Sequence, residues 1–235
     1  MTIRPLLASS IGLGMLFAMQ AASATTPAAF TATYNVLQGD QPMGQATVTL
    51  RAASNGEWIY SKDVKGTGGL AALMGASVRE TSRFRWKGDL PEVISYDYQM
   101  IAMGKNKQRH LKADWKSNQV TVDEGKGPHT YAATPGMVER NTTALALGMA
   151  LRDGKQQITL PVGVKQGVET QQFKVTGKET VKVAAGSFNA ERIERSDAAR
   201  DFSAWYAPAR YPVPVKLSQH DGGDLTMELV SFNAE

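Results

Sequence analysis

Histidine is a residue type that commonly binds metal ions in proteins. The chain has 3 histidines, His110, His129 and His220. None has a second histidine four positions away, and none belongs to a His-Glu-x-x-His pattern, the spacing that brings zinc ligands together on a helix. Each lies in or beside a predicted strand among polar neighbours. We therefore interpret them as surface residues, and the sequence predicts no metal site.

Patterns of nucleophilic and acid–base catalysis are also missing from the sequence. The chain contains no cysteine, and no Gly-x-Ser-x-Gly turn presents a nucleophilic serine. Asp97 with Glu92, and Asp123 with Glu124, are separated by odd numbers of positions on predicted strands, so their side chains point to opposite faces. Glycoside hydrolysis needs two carboxyl groups on one wall. We expect no catalytic residues, no cofactor and no enzyme activity.

Aromatic side chains on predicted strands are the candidates for binding an apolar molecule. Several share the apolar face of their strand, and those in the first half of the chain are Trp58, Tyr60, Phe84, Trp86, Tyr96, Tyr98 and Trp115. They either fill an ordinary core, since aromatic rings dominate core burial, or line the lumen of a curved sheet into which an acyl chain or apolar peptide enters. The sequence leaves both interpretations open.

A short apolar run between glycines interrupts the strand pattern at 70–74. Leu70, Leu73 and Met74 form one stripe at helical spacing, although the run is too short to be stable as an isolated helix. The flanking glycines would let it move as a unit, which predicts a lid over the open end of the sheet, with Met74 adapting to varied apolar ligands. The alternative is a fixed loop that plugs the core.

Alternation of polar and apolar residues recurs along most of the chain and predicts about fourteen antiparallel strands. It breaks at 139–155, where Asn141 or Thr142 as an N-cap and Gly154 as a stop predict a helix over 142–153 that is apolar on most sides and hence enclosed. So many consecutive strands must curl. The sequence predicts a mainly β fold with one large, highly curved antiparallel sheet, an incomplete barrel or β-spiral, one enclosed helix and a short helical turn near 69–75. A two-sheet sandwich is the alternative.

The N-terminus has the three parts of a secretory signal peptide. A basic start is followed by an apolar run over 6–19 and by Ala22-Ser23-Ala24, which fits signal peptidase. We predict cleavage after Ala24 and a single β domain over 25–235 in a bacterial periplasm. No later stretch is long enough to be a transmembrane anchor. The net charge of +4 is mild and no basic cluster with aromatics occurs, so no nucleic-acid partner is expected.

Strand and turn motifs in both halves of the chain resemble those of a family of exported bacterial proteins that is described only as a domain of unknown function. The segments that carry the resemblance are "FTATYNVLQGDQPMGQATVTL" (30–50), "KETVKVAAGSFNAERIER" (178–195) and "FSAWYAPARYPVPVKLSQHDGGDLTMELVSF" (202–232). The resemblance implies a strongly curved periplasmic β-sheet, more distantly similar to the lipoprotein-localisation carriers and envelope-integrity proteins. By that analogy it suggests the handling of lipids or lipoproteins.

These observations together predict a soluble periplasmic protein that catalyses nothing and contributes to maintenance of the cell envelope. We expect it to bind an apolar or amphipathic envelope molecule, which is a lipid, a lipoprotein or a lipid-linked glycan. The alternative is a docking or structural module with a fully packed interior, which contacts an envelope protein partner through strand edges or its convex face.

Overall fold

The structure, a computed structural model, describes residues 26–197, 202–219 and 224–235. The predicted signal peptide over 1–24 and His220 lie outside the described residues. The first eight strands are β1 (Phe30–Gln38), β2 (Gln41–Ala52), β3 (Glu57–Gly66), β4 (Ser77–Lys87), β5 (Leu90–Ala102), β6 (Lys105–Asp114), β7 (Gln119–Asp123) and β8 (His129–Ala132). The other strands are β9 (Val138–Glu139), β10 (Gln157–Gly163), β11 (Val168–Val183), β12 (Gly186–Arg195), β13 (Phe202–Tyr206), β14 (Lys216–Gln219) and β15 (Leu225–Ala234). The helices are α1 (Gly69–Leu73) and α2 (Thr143–Arg152).

All of these strands belong to a single sheet. Its spatial order is β8-β7-β6-β5-β4-β3-β2-β1-β15-β14-β13-β12-β11-β10-β9. Neighbouring strands are antiparallel except β9 and β10, which are parallel. The predicted mainly β fold with one large antiparallel sheet is therefore confirmed, and the two-sheet sandwich is not the architecture. Both predicted helical segments are present, the enclosed helix as α2 and the short helical turn as α1.

The sheet is not closed into a ring by backbone pairing, because β8 and β9 form its two edges. Hydrogen bonds between the β5–β8 side of the sheet and the β9–β10 side hold the two sides close together instead. The Tyr131 hydroxyl of β8 donates to the Val164 carbonyl at 2.9 Å. The Val93 amide of β5 donates to the Met137 carbonyl, just before β9, at 2.9 Å. The curved sheet therefore encloses an interior without a continuous ladder.

Antiparallel order places alternate connections at opposite ends of the sheet. The turns β1–β2, β5–β6, β7–β8 and β10–β11 lie at the same end as α1, which joins β3 to β4. We call this the α1 end. The connections β2–β3, β4–β5 and β6–β7 lie at the other end.

Helix α2 lies inside the curved sheet. Of its 10 residues all but Ala144 and Arg152 are buried, which agrees with its nearly continuous apolar sequence. The predicted N-cap is only partly correct, since Thr142 occupies the cap position but its side chain makes no cap hydrogen bond. The Glu139 carboxylate takes that role and accepts from the amides of Asn141 at 2.8 Å and Thr142 at 3.0 Å. No helix in the described ranges has the length and apolar character needed to cross a bilayer.

Gly148 is where α2 passes closest to the chain after β13. A Cβ at this position would overlap the backbone carbonyl of Pro212. Gly148→Ala should therefore lower the free energy of unfolding by about 1–3 kcal/mol or more, although helix propensity alone predicts a gain of about 1 kcal/mol. Urea denaturation measures the difference.

The matched control for this prediction is Gly177→Ala in β11, where a Cβ would meet nothing within 4 Å. That variant should stay within about 0.5 kcal/mol of the parent. An unchanged or raised stability of Gly148→Ala would contradict the close packing of α2 against the Pro212 segment.

Candidate functional site

A cavity of about 600 Å³ occupies the part of the interior that α2 does not fill. Its lining includes the exposed side chains of Lys165 and Gln166 in the β10–β11 turn, so it communicates with solvent at the α1 end. Its apolar walls come from strands all around the sheet and comprise Tyr34, Val48, Tyr60, Tyr96, Leu111, Val162, Phe173, Phe202, Pro214, Leu217 and Met227. The volume is typical of small-molecule sites, which measure roughly 300–1,000 Å³.

One row of inward-facing residues across β3–β6 is polar where its neighbours are apolar. Strand pairing aligns Lys62 with Glu80, Glu80 with Tyr98, and Tyr98 with Arg109. These positions have the same parity as the buried Tyr60, Ser82, Tyr96 and Leu111 of the adjoining row, so their side chains face the interior. Lys62 and Arg109 line the cavity. The sheet thus carries charge on its concave face at this level.

Glu80 is the buried centre of the polar row, with 2 % of its surface exposed. Lys62 Nζ lies 2.7 Å from one carboxylate oxygen, and the Tyr96 hydroxyl donates to the other at 2.6 Å. Burial favours the neutral acid, but the charges of Lys62 and Arg140 and the two hydrogen bonds outweigh it, so the pKa of Glu80 lies below its usual range. The row therefore holds a buried, ionised pair.

A second buried carboxylate, Glu139, fixes the start of α2 against the sheet. It is fully buried and accepts hydrogen bonds from Ser82 Oγ at 2.7 Å and Thr142 Oγ1 at 2.8 Å, besides the two amides already described. Burial raises the pKa of Glu139, an effect that these donors oppose and the nearby Glu80 charge reinforces. Glu80 and Glu139 are thus two neighbouring buried carboxylates whose pKa values are shifted in opposite directions.

Arg140 and Asn141 are neighbouring polar residues of the cavity that differ in how available they are to a ligand. Both line the cavity. The Asn141 amide donates to the Tyr60 carbonyl at 3.2 Å and to Ser82 Oγ at 2.9 Å, but its Oδ1 is buried and has no partner. Arg140 is exposed and makes no ion pair within 4.0 Å in the part of the chain that the structure describes. One cation, Arg140, is therefore left for a bound molecule, whereas Asn141 Oδ1 is enclosed by protein atoms.

The remaining basic residues of the lining have acidic partners. Glu124 pairs with both Arg109, at 2.6 Å, and Lys165. Arg195 lies 2.9 Å from Asp197 and 3.5 Å from Glu169. With Lys62 paired to Glu80, the lining holds five basic residues whose four carboxylate partners leave Arg140 as the cation in excess. The site consequently favours an anion over a cation.

The sequence-predicted aromatic residues divide between this cavity and the core. Tyr60 and Tyr96 line the cavity. Trp58, Phe84 and Trp86 pack together towards the other end, with ring centroids 5.0 Å apart for Phe84–Trp86 and 6.3 Å apart for Trp58–Trp86. One subset of the rings thus packs in the core and another lines the cavity, while the binding of an apolar molecule stays a prediction.

Tyr98 and Trp115 are partly buried and pack against the core around Val93 and Leu111. Tyr98 lies half-buried in the polar row but is not part of the cavity lining. The Trp115 indole donates to the Val93 carbonyl at 2.8 Å and lies 5.9 Å from each of the cations of Arg85 and Lys87. The structure thus gives Trp115 a packing role on the β4–β5 pair.

The predicted lid residues do not line the cavity either. Leu70 is 63 % and Leu73 86 % exposed, and only Ala71 of α1 is buried. The Met74 carbonyl accepts from the Met103 amide at 3.0 Å, so α1 leans on the β5–β6 turn. In this arrangement Leu70, Leu73 and Met74 are not in the cavity lining, and the movement of α1 as a lid stays a prediction.

Lys62, Arg109 and Arg140 of the cavity lining, and Glu80 paired with Lys62, were missed by the sequence analysis. Three of them could have been recognised from the sequence. Lys62, Glu80 and Arg109 occupy strand positions that alternate with the exposed ones and whose neighbours on the same face are mostly apolar. Such a charge on the core face of a strand points to a partner or a cavity. Arg140 lies outside any alternating segment, and only the fold brings it to the cavity.

The histidines behave as surface groups where they are described. His110 Nδ1 lies 2.6 Å from Asp97, and His129 Nε2 lies 2.6 Å from the Lys165 carbonyl oxygen. No group of three or more potential metal-ligating side chains converges within the described ranges.

Fold and site together define a class: open, strongly curved β-sheet proteins with an enclosed helix and a solvent-connected cavity. The sequence matches the family described as a protein of unknown function, DUF3108, over residues 29–230, and the chain belongs to that family. The family resemblance predicted from the motifs is thereby confirmed. No match is found among curated proteins.

Two solved structures are similar to this chain to different degrees. A β-barrel-like protein of domain of unknown function DUF1849 from Brucella abortus is similar with a TM-score of 0.55 and 10 % identity, over 89 % of this chain and 98 % of that chain. A protein with a YmcC-like fold from Bacteroides fragilis matches at 10 % identity over 87 % of this chain and 95 % of its own, but its TM-score of 0.28 supports no argument. At these identities the likeness extends to the fold alone.

Removing the buried charge at Glu80 should cost stability in a pH-dependent way. Glu80→Gln places an amide against Lys62, and we expect the free energy of unfolding at neutral pH to fall by about 1–3 kcal/mol. Because the pKa of Glu80 is lower in the folded than in the unfolded state, the unfolded state binds more protons in acid. The parent therefore loses this advantage as the pH falls below about 4, and the two proteins converge.

Chemical denaturation at several pH values tests the convergence. Glu57→Gln is the matched control, because it also cuts an ion pair, to Arg83 at 2.6 Å, but with more exposed partners, and it should cost less than about 1 kcal/mol. A Glu80→Gln deficit that is independent of pH, or equal to that of Glu57→Gln, would contradict the assignment of a buried ionised pair.

Proposed function

We propose that this protein is a non-catalytic binding protein for an anionic amphipathic molecule of the cell envelope. The observation that carries the proposal is the cavity of about 600 Å³ with apolar walls and the unpaired Arg140 among its lining residues. An acyl chain or comparable apolar group fits the walls, and an acidic headgroup fits the cation. The proposal includes export to the periplasm, which rests on the signal peptide predicted over 1–24.

The cavity favours this proposal over the alternative of a docking module with a fully packed interior. A packed interior leaves few voids larger than a water molecule, whereas this one holds a cavity of about 600 Å³. The buried carboxylates do not by themselves indicate catalysis, because Glu80 and Glu139 are each engaged by protein donors. We therefore propose binding without chemistry.

Fluorescence titration with dansylundecanoic acid and its methyl ester tests both parts of the proposal. We expect the parent protein to bind the acid more tightly than the ester. Arg140→Gln should weaken acid binding about tenfold, because a hydrogen bond to a charged group contributes about 1.5–3 kcal/mol, and should leave ester binding unchanged.

Arg51→Gln is the matched control, since Arg51 is exposed on β2 and does not line the cavity. The same charge change there should affect neither probe. Absence of saturable binding of both probes to the parent would overturn the proposal and favour the docking module. Equal effects of Arg140→Gln and Arg51→Gln would remove the assigned role of Arg140.

Native mass spectrometry of the protein purified from its own cells identifies the natural ligand class. A co-purifying species that is both acidic and acylated agrees with the cavity. A co-purifying cation or a neutral sugar would contradict it.

A further inference from the structure

The exposed large apolar residues of this protein are concentrated at the α1 end. Within the described ranges six such residues are exposed, and four of them belong to α1 or to the β5–β6 segment: Leu70 at 63 %, Leu73 at 86 %, Ile101 at 39 % and Met103 at 72 %. We call these four residues the apolar ridge. Leu225, at 40 %, begins β15 at the same end, and Val230 lies away from it within β15. Clustered exposure of this kind marks an interaction surface.

Backbone hydrogen bonds hold the apolar ridge in place. The Met103 amide donates to the Met74 carbonyl at 3.0 Å, and the amides of Thr67 and Gly68 donate to the Met43 carbonyl at 3.0 and 3.2 Å. These backbone bonds hold α1 between the β1–β2 and β5–β6 turns. Ala71 is buried beneath α1, so that Leu70 and Leu73 project outward from a supported base.

Lysines without acidic partners surround the ridge. Lys65, Lys105, Lys107 and Lys126 all lie at the α1 end, all are exposed, and none makes an ion pair within 4.0 Å in the described part of the chain. Lys105 and Lys107 lie at the start of β6, just after the turn that contains Met103. Among the described residues, four exposed carboxylates lie at the same end, namely Asp40, Glu169, Asp197 and Asp224. Glu169 and Asp197 flank Arg195, so the four lysines outnumber the other two carboxylates.

We propose that the α1 end docks on an anionic lipid bilayer, with the apolar ridge entering the interface. Leucine and methionine side chains insert between headgroups, and each lysine near a negatively charged surface contributes about 1 kcal/mol of attraction. A second copy of this chain is a poorer occupant, because the same excess of lysines would face itself. The cavity opens at this end too, but the proposal does not require that the cavity bind a ligand.

Vesicle sedimentation tests the proposal directly. We expect the purified protein to co-sediment with phosphatidylcholine vesicles that contain phosphatidylglycerol, and much less with phosphatidylcholine alone. Leu73→Ser combined with Met103→Ser should lower the partition coefficient about tenfold, because two apolar side chains no longer enter the interface. Val230→Ser, an exposed apolar residue elsewhere, is the matched control and should change nothing.

The lysines are tested in the same assay. Lys105→Gln with Lys107→Gln should reduce binding to the anionic vesicles and flatten its dependence on salt. A parent protein that stays in the supernatant with every vesicle, or a Val230→Ser variant that loses as much binding as the ridge variant, would overturn the proposal. So would a dimer in sedimentation velocity that the ridge variant abolishes, since the ridge would then contact a second copy.

Failure of docking and failure of ligand binding are separable. The ridge variant should bind dansylundecanoic acid as the parent does, because none of the ridge residues lines the cavity. Arg140→Gln should in turn sediment with anionic vesicles as the parent does if docking depends on the ridge and its lysines.

Discussion

The buried carboxylate of Glu139 is the contact on which the arrangement of the interior depends. It joins β4, through Ser82, to the amides at the start of α2, and so fixes where the helix enters the curved sheet. A buried carboxylate without donors would be very costly. The segment 139–143 supplies most of the donors, so the chain can cross the lumen at this point.

The position of α2 divides the interior into two unlike parts. Away from the α1 end, the sheet is filled by aromatic and aliphatic side chains such as Phe30, Leu50 and Phe84, which are almost completely buried. Towards the α1 end, Thr143 and Ala144 in the first turn of α2 border the cavity, and the sheet there carries the polar row of Lys62, Glu80, Tyr98 and Arg109. The cavity is the part of the lumen that the helix does not fill, and Lys62 and Arg109 of this row contribute to its polarity.

The alternation of polar and apolar residues is the part of this structure that the sequence displays directly. Alternation indicated the strands of the sheet, the number of strands indicated its curvature, and the break in alternation at 139–155 indicated the enclosed helix. Alternation does not hold where the ladder is irregular. Arg83 pairs with Ser95 but Phe84 pairs with Val93, so a bulge buries Val93 together with Tyr96, three positions further on. Glu139 could not be recognised as a cap, because its role depends on the β9–α2 segment crossing to β4. The exposure of Leu70 and Leu73 depends likewise on which turns support α1.

Antiparallel order has one more consequence, which links the cavity to the apolar ridge. Since every second connection returns to the same end, α1, the β5–β6 turn and the β10–β11 turn must share an end. The cavity opens beside the last of these turns, and the ridge stands on the first two. Lys105 and Lys107 continue the inward-facing positions of Arg109 and Leu111 on β6, so positive charge extends along one strand from the cavity to the α1 end. An anionic amphiphile that entered at this end would pass Lys105 and Lys107 before it met Arg109 and Arg140 of the cavity lining.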